Sequence, residues 1–181
     1  MTGTNQALPS HLPPTPMSPV EIRPAESADA DAIARIYNHY VLTTAISFEE
    51  KPVPVDAIRG RMAGVGAASL PWLVATFQGA VRGYAYAARW HQRHAYRFTV
   101  ECTVYVDPDA VGARIGSALY DALFPALSAR QLHAAVAVIA LPNAASVALH
   151  ERFGMKKVAH FEQVGFKFGR WHDVGSWQKR L

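Results

Sequence analysis

The chain has 181 residues, 50% of them apolar and 18% charged, which suits one globular domain with a sizeable core. Its formal charge of +4 comes without a run of Lys and Arg interleaved with aromatic residues, which argues against a nucleic-acid-binding protein. A single cysteine excludes a disulfide framework, no apolar stretch has the length of a membrane span, and no secretory signal opens the sequence; we therefore expect a cytoplasmic location and no membrane partner.

The pattern of turns and apolar periodicity predicts a mixed α/β domain. Residues 1–19 are rich in Pro, Ser and Thr and are interpreted as a flexible arm, with residues 20–181 as the domain. Ser27 is interpreted as the N-cap of the first helix, and Gly154 as the residue that ends the last one. The expected elements are, in chain order, a strand at 20–23, helices at 30–40 and 55–62, strands at 71–77, 81–89 and 98–106, a helix at 116–128, a strand at 133–140, a helix capped by Asn143 that ends at Phe153, and strands at 156–163 and 174–179.

This order of elements predicts one mixed sheet with helices on both of its faces. Two stretches are expected to connect strands. Residues 90–97 are aromatic and cationic and are interpreted as a loop on the cleft side, just before the strand at 98–106. Residues 165–173 are interpreted as the connection between the last two strands.

The stretch 98–123 predicts a strand, a glycine-bearing loop and a helix. Alternating apolar residues stop at Asp107 and Pro108, and a loop with two glycines then opens an apolar helix. Free backbone N–H groups and the positive end of the helix would converge in that loop, which is a favourable site for a phosphate. The candidate phosphate-binding residues are Gly112, Ala113, Arg114, Ile115, Gly116 and Ser117, and the alternative is a plain turn between strand and helix.

Glu101 is a carboxylate inside an otherwise apolar strand, a few residues before this loop. Strand alternation places Glu101 on the face opposite Cys102, which we assign to core packing. A carboxylate in such a position is a candidate general base, because an apolar environment favours proton acceptance near neutral pH. The alternative is a solvated glutamate on the strand surface.

Several short segments carry a resemblance to a known family. They are Tyr37-Asn38-His39-Tyr40, Glu101-Cys102-Thr103-Val104-Tyr105-Val106, Val136-Ala137-Val138-Ile139 with Leu141-Pro142-Asn143, Leu149-His150-Glu151, and Gly165-Phe166-Lys167 leading to Trp171-His172-Asp173. With the order of elements, they resemble the GNAT acetyltransferase superfamily and, more narrowly, the phosphinothricin and methionine sulfoximine N-acetyltransferases. The resemblance covers about residue 22 to the C-terminus. It implies a mostly antiparallel central sheet, acetyl-CoA as co-substrate and a homodimer.

The phosphate loop departs from the superfamily pattern Arg/Gln-x-x-Gly-x-Gly/Ala. Val111 stands at the leading Arg/Gln position, and Arg114 stands where the middle glycine is expected. Only the final glycine, Gly116, is kept. Arg114 can still place a cation on a phosphate, but a glycine that would let the cofactor approach closely is lost. We therefore expect the departure to affect cofactor affinity more than the fold.

The resemblance also implies roles for residues in the cleft. Glu101 would be the general base, acting through water, and Tyr120 the acid on the thiolate side, with a core tyrosine as the alternative. Tyr120 lies four residues after Gly116, a helical spacing that predicts a position over the loop. His150 would either assist proton transfer or bind a backbone carbonyl. The implied cofactor contacts come from the backbone of Val104, Tyr105 and Val106 and from Asn143, which can equally be a helix N-cap.

The acceptor is expected to bind at the cationic loop. Arg93, with Tyr96 beside it, can hold a carboxylate or a tetrahedral oxyanion through two parallel hydrogen bonds. The resemblance implies a basic residue two positions earlier, which is His91 here. Phe48 and residues 165–167 are expected to wall the pocket. The histidines lack metal-ligand spacing, so we expect no metal.

The expected reaction is direct acetyl transfer, in a ternary complex, to the α-amino group of a small amino acid such as phosphinothricin or methionine sulfoximine. One alternative is another acceptor on the same fold, such as a polyamine, an aminoglycoside or a peptide N-terminus. Carboxylates would be expected around the first two of these, whereas the loop at 90–97 is cationic. The other alternative is a non-catalytic acyl-CoA sensor, which would need no base such as Glu101.

Overall fold

The computed structural model describes residues 19–181, so the flexible arm expected at 1–19 lies, except for Pro19, outside the described residues. Seven strands form one sheet in the order β1-β2-β3-β4-β5-β7-β6. The elements are β1 (Glu21–Pro24), α1 (Ala30–Thr43), α2 (Val55–Ala67), β2 (Trp72–Phe77), β3 (Ala80–Arg89), β4 (Thr99–Val106), α3 (Ile115–Ser128), β5 (Ala134–Leu141), α4 (Ala144–Arg152), β6 (Lys156–Lys167) and β7 (Arg170–Arg180).

Two apolar cores, one on each face of the sheet, confirm the expected mixed architecture. Helices α1 and α2 cover one face, where Ile33, Ile36 and Ile58 are buried against the sheet. Helix α3 covers the other face with Leu119 and Leu123, which lie one helical turn apart. Burial of each such side chain contributes about 1.5–3 kcal/mol. Among the described residues, no helix is both long and apolar enough to cross a bilayer.

The sheet is antiparallel except where β4 meets β5, and that one parallel pairing is short. It joins residues 99–101 to residues 134–136 and goes no further. Beyond that point β4 pairs only with β3, and β5 pairs only with β7. The two strands therefore part after Glu101, and their facing backbone groups are left for another partner, since a buried N–H or C=O needs one.

Two local predictions were wrong. Ser27 is not an N-cap, because the Asp29 carboxylate accepts the Glu26 amide at 2.7 Å and also pairs with Arg23 at 2.7 Å, which fixes a short 3-10 turn before α1. Most of residues 165–173 belong to the last two strands and do not merely connect them. Strands β6 and β7 continue through this segment to a two-residue turn at Phe168 and Gly169, both with positive φ, as tight hairpin turns require.

Candidate active site

Two neighbouring cavities lie beside the part of β4 that is not paired with β5. The Glu101 cavity has a volume of about 280 Å³ and is lined by residues 101–105 of β4, residues 138–140 of β5, the segment 46–48 and α4. The Gly116 cavity, of about 380 Å³, is lined by the end of β4, the loop before α3 and α4. Both share Ile46, Val104, Tyr105, Asn143 and Ser146, so they form one continuous cleft.

The loop at the start of α3 leaves a row of backbone amides open. Ala118 is the first residue of the helix whose N–H has a backbone acceptor, the Arg114 carbonyl at 3.0 Å. Within residues 19–181, the N–H groups of Ile115, Gly116 and Ser117 have no protein acceptor. Because these residues line the Gly116 cavity and the helix N-terminus is positive, the cavity suits an anion.

Two glycines allow α3 to sit close to its neighbours. A Cβ on Gly83 of β3 would lie 2.7 Å from the Ile115 methyl, and a Cβ on Gly116 would lie 3.1 Å from Leu149 of α4. The first contact is too short for any real side chain, so glycine at position 83 lets the start of α3 approach β3. The loop is thus fixed by packing on two sides.

Arg114 takes the left-handed backbone conformation that a glycine would normally occupy. Its φ is 58°, and Gly112 nearby has φ 93°. A non-glycine residue in this region costs on the order of 1 kcal/mol or more, so Arg114 is held in a strained backbone conformation. Arg114 lines the Gly116 cavity, whereas Ala113 does not.

Asp107 anchors the end of β4 directly before this loop. Its side chain is fully buried and accepts hydrogen bonds from Arg35 at 2.9 Å, Arg82 at 3.1 Å and the Asp109 amide at 3.1 Å. Burial alone would raise the pKa of this carboxyl, but the three hydrogen bonds outweigh it and hold the pKa below its usual value. The start of the loop therefore depends on a buried, fully paired carboxylate.

Glu101 lies at the point where β4 and β5 part, and it is half-buried in the cleft. Burial raises the pKa of its carboxyl, and the nearby charge of His91 opposes the shift. A raised pKa makes the carboxylate a better proton acceptor near neutral pH. Cys102, the next residue, is 3% exposed, and burial raises the pKa of its thiol to about 12, so it is a packing residue and no nucleophile.

Tyr120 and His150 form a buried hydrogen-bonded pair. The His150 Nδ1–H donates to the Ser146 carbonyl at 2.7 Å, so its Nε2 is free to accept the Tyr120 hydroxyl at 2.8 Å. Burial lowers the pKa of His150 and raises the pKa of Tyr120, which keeps both side chains neutral. His150 lines the Glu101 cavity, but Tyr120 lines neither cavity. Tyr120 therefore lies in the core. The position over the loop that helical spacing predicts for Tyr120 is wrong.

The remaining cofactor-side residues converge on the same cleft. Val104 and Tyr105 line both cavities, and Val106 lines the Gly116 cavity, with its carbonyl bound by the Tyr40 hydroxyl at 2.6 Å. Asn143 caps α4 by accepting the Ser146 amide at 3.1 Å, and it also faces both cavities. Its two interpretations, helix cap and cleft residue, are therefore compatible.

The expected acceptor residues fall into two groups. Phe48 lines the Glu101 cavity itself. His91, Arg93 and Tyr96 are exposed and line a separate, open cavity of about 540 Å³ on the loop before β4. The charge of His91 is close enough to act on Glu101, which connects this loop to the cleft.

Some cleft residues were not predicted. Tyr86 of β3 and Thr103 of β4 are cross-strand partners on the face that carries Glu101, and both line its cavity. Ser146 faces the cleft as well. It precedes His150 by four residues on one helix, a spacing that marks a shared face, so helical periodicity could have found it. No group of three or more potential metal ligands occurs within residues 19–181.

Comparison with known proteins agrees with this geometry. Residues 22–175 match the acetyltransferase (GNAT) domain family. Phosphinothricin N-acetyltransferase of Streptomyces viridochromogenes is 41% identical over 168 residues, which cover 89% of this chain and 87% of the relative. L-methionine sulfoximine/L-methionine sulfone acetyltransferase of Salmonella typhimurium is 40% identical over 163 residues, with coverages of 88% and 94%.

A solved structure shows the same fold with its co-substrate. The GNAT superfamily phosphinothricin acetyltransferase of Sinorhizobium meliloti, in complex with AcCoA, superposes with a TM-score of 0.87 at 36% identity and covers 90% of this chain and 88% of that one. The cleft contains a half-buried carboxylate and a row of open amides, and the relatives named above share the fold. Together these findings support one assignment. The chain belongs to the GNAT acetyltransferase family.

Proposed function

We propose that the chain transfers the acetyl group of acetyl-CoA to the α-amino group of a small amino acid of the phosphinothricin or methionine sulfoximine type. The main support for the proposal is that one cleft contains both Glu101, whose pKa is raised, and the open amides at the start of α3. The names of the relatives support the choice of acceptor.

The cleft fits acetyl-CoA, which supplies the acetyl group as a thioester. The amides of Ile115, Gly116 and Ser117, with Arg114 beside them, would hold the pyrophosphate. The unpaired edge of β4 would hold the pantetheine arm, because strand N–H groups point alternately to either side and those facing β5 have no strand partner here.

Proton handling falls to groups on either side of the β4–β5 gap. A free α-amino group has a pKa of about 8 and is mostly protonated at neutral pH, so it must lose a proton before it can attack. Glu101 accepts that proton, through water. Because Tyr120 reaches the cleft only through His150, we propose a relay: the departing thiolate takes the Nδ1 proton of His150, Nε2 takes the proton of the Tyr120 hydroxyl, and solvent returns a proton to Tyr120 before the next turnover.

The acceptor is oriented by the loop before β4 and by Phe48. Arg93 holds the acceptor's carboxylate or its oxyanionic side chain, with His91 and Tyr96 beside it. This loop carries cations, which favours an anionic amino acid over a polyamine or an aminoglycoside. A single cysteine provides no disulfide framework, which is typical of a protein of a reducing compartment, and we propose a cytoplasmic location.

Acetyl-CoA and a panel of amines test the proposal directly. We expect acetyl-CoA to raise the melting temperature with concentration, since a ligand at 100 times its Kd stabilises the native state by about 2.7 kcal/mol. We expect CoA release to be at least about tenfold faster, in kcat/KM, with phosphinothricin or methionine sulfoximine than with spermidine or kanamycin. A flat melting curve, or a preference for the polycations, would contradict the proposal.

We further propose that the enzyme is a homodimer joined through the β6–β7 hairpin. Strand β6 is an edge of the sheet, and Val164, Phe166, Phe168 and Trp171 on or near it are each more than half exposed. A contiguous apolar patch of aromatic residues at a sheet edge is typical of an interface between like chains.

Charge placed on this patch tests the homodimer. The rings of Phe166 and Trp171 pack together on this patch, with their centroids 5.0 Å apart. Two carboxylates in their place would have to be buried in the interface, so we expect the double variant Phe166→Glu, Trp171→Glu to elute as a monomer in size-exclusion chromatography with light scattering. Phe98→Glu, which changes an exposed aromatic residue beside the start of β5, at the far end of β7 from the hairpin turn, is the matched control and should stay dimeric. A monomeric wild type would refute the proposal.

A further inference from the structure

Lys167, the last residue of β6, is a buried cation that has no carboxylate partner within residues 19–181. Its side chain is 2% exposed, and its ammonium donates to two backbone carbonyls, those of Val41 at 2.7 Å and Ser47 at 2.6 Å. Burial lowers the pKa of this ammonium, and the more distant charges of Glu50 and Glu49 oppose that shift. A lysine is rarely buried without a carboxylate partner, so the hydrogen bonds that hold this ammonium are expected to have a structural role.

The first of the two carbonyls belongs to the last turn of α1. Carbonyls there have no partner within the helix, and the helix end is negative. The Lys167 ammonium therefore satisfies an orphan acceptor and complements the helix dipole in one contact. It ties the end of α1 to the end of β6, two elements far apart in sequence.

The second carbonyl lies in the wall of the Glu101 cavity. Ser47 and Phe48 both line that cavity, and the Ser47 carbonyl that Lys167 holds is part of the peptide bond leading to Phe48. The Ser47 hydroxyl is also bound, to Tyr37 at 2.9 Å. The backbone immediately before the Phe48 ring is thus fixed from two sides.

Strand β6 also determines where the Phe48 ring sits. A Cβ on Gly165 would lie 2.2 Å from the ring, so only glycine leaves room for it. Gly165 and Lys167 are two residues apart on one strand and therefore point to the same side, while Phe166 between them points outward. One face of β6 holds the backbone of the cavity wall and receives its aromatic ring.

We propose that Lys167 is a positioning residue for the acceptor: it fixes residues 47–48 as a rigid wall of the Glu101 cavity, so that binding of the amine substrate depends on it and binding of acetyl-CoA does not. This inference rests on the proposed function, which identifies the molecule bound in the Glu101 cavity as the amine acceptor. Whether Lys167 fixes residues 47–48 can be tested without catalysis.

The substitution Lys167→Met tests the inference, since it keeps the length of the side chain and removes the donors. We expect the KM for the amino-acid acceptor to rise about tenfold or more, because a small displacement of a positioning group has a large effect on productive binding. The Kd for acetyl-CoA, measured by calorimetry, should stay within about twofold, since Ser47 and Phe48, which Lys167 fixes, line the Glu101 cavity and not the Gly116 cavity. Lys157→Met, on the same strand but exposed, should match the wild type in both quantities.

Gly165→Ala provides an independent test because it displaces the Phe48 ring and leaves the ammonium in place. It should reproduce the rise in acceptor KM with an unchanged Kd for acetyl-CoA. If Lys167→Met does not fold, Lys167→Gln replaces it, and its amide N–H should retain part of the effect of the ammonium. An unchanged acceptor KM in the Lys167 variant, or an equal loss of acetyl-CoA binding, would overturn the inference.

Amide exchange separates a failure of this inference from a failure of the proposed function. In hydrogen–deuterium exchange, segment 44–50 should exchange faster in Lys167→Met than in the wild type or in Lys157→Met, whatever the enzyme acetylates. If the wild type acetylates no amino acid but this segment loosens as expected, the proposed acceptor is wrong and the role of Lys167 in the wall stands. If the segment exchanges equally in all three proteins, Lys167 does not fix the wall.

Discussion

Glu101→Gln should lower kcat by about 10²- to 10³-fold at neutral pH, the usual effect of removing a general base. The amide has the shape of the carboxylate but cannot accept the proton of the incoming amine. Binding of acetyl-CoA should be nearly unchanged, because the open amides proposed to bind it belong to α3 and the unpaired edge of β4 is untouched. Steady-state kinetics and calorimetry on the same preparation measure both quantities.

The pH profile provides a second measurement of the same variant. Because burial raises the pKa of Glu101, wild-type kcat/KM should fall with decreasing pH through a pKa above the ordinary glutamate value. This acid limb should be missing in Glu101→Gln, where only the rise from deprotonation of the amine remains. Glu162→Gln, an exposed glutamate on β6, should behave as the wild type. An unchanged acid limb in Glu101→Gln would remove Glu101 from the mechanism.

Asp107→Ala should destabilise the fold by about 1.5–3 kcal/mol, the usual cost of losing hydrogen bonds to a buried charged group, because the Arg35 and Arg82 side chains left behind are 54% and 29% exposed and can turn to water. The substitution leaves the guanidinium groups of Arg35 and Arg82 without their shared partner and removes the acceptor for the Asp109 amide. For a chain of this size, the loss corresponds to a fall in melting temperature of roughly 3–12 °C. Calorimetry or thermal circular dichroism measures it. Asp109→Ala, at an exposed neighbour, should change stability by no more than about 0.5 kcal/mol.

The same pair predicts how stability depends on pH. The pKa of Asp107 is lower in the folded than in the unfolded state, so its contribution is complete above the unfolded value of about 4. As pH falls below that value and through the folded pKa, the carboxylate is protonated and the contribution is lost. The gap in stability between the wild type and Asp107→Ala should therefore be widest near neutral pH and narrow in acid. A gap independent of pH would show that the ion pair is not its source.

Much of the fold could be predicted because local signals and tertiary contacts agree there. The hairpin at Gln78 and Gly79, the apolar stripe of α3 and the turn after β4 each combine periodicity with an appropriate turn residue. Glu101 could be recognised because a lone carboxylate in an apolar strand is conspicuous. Its closeness to the loop before α3 followed from their separation in sequence.

The rest depended on contacts that are distant in sequence. The end of β6 inverts the usual strand pattern, because it exposes Phe166 and buries Gly165 and Lys167, so the alternation rule does not identify it as a strand. Helical spacing placed Tyr120 over the loop, but its hydroxyl turns to His150 on another helix. No local pattern reveals a partner thirty residues away.

The sealed position of the only cysteine has a practical consequence for enzymology. Ellman-type reagents report any accessible sulfhydryl, and enzymes with reactive cysteines give a background that obscures product formation. Here Cys102 is 3% exposed and stays protonated at any usual assay pH. A colorimetric trace recorded during turnover should therefore count liberated CoA alone. A cysteine introduced at a chosen surface position would be the single point of attachment for a fluorophore.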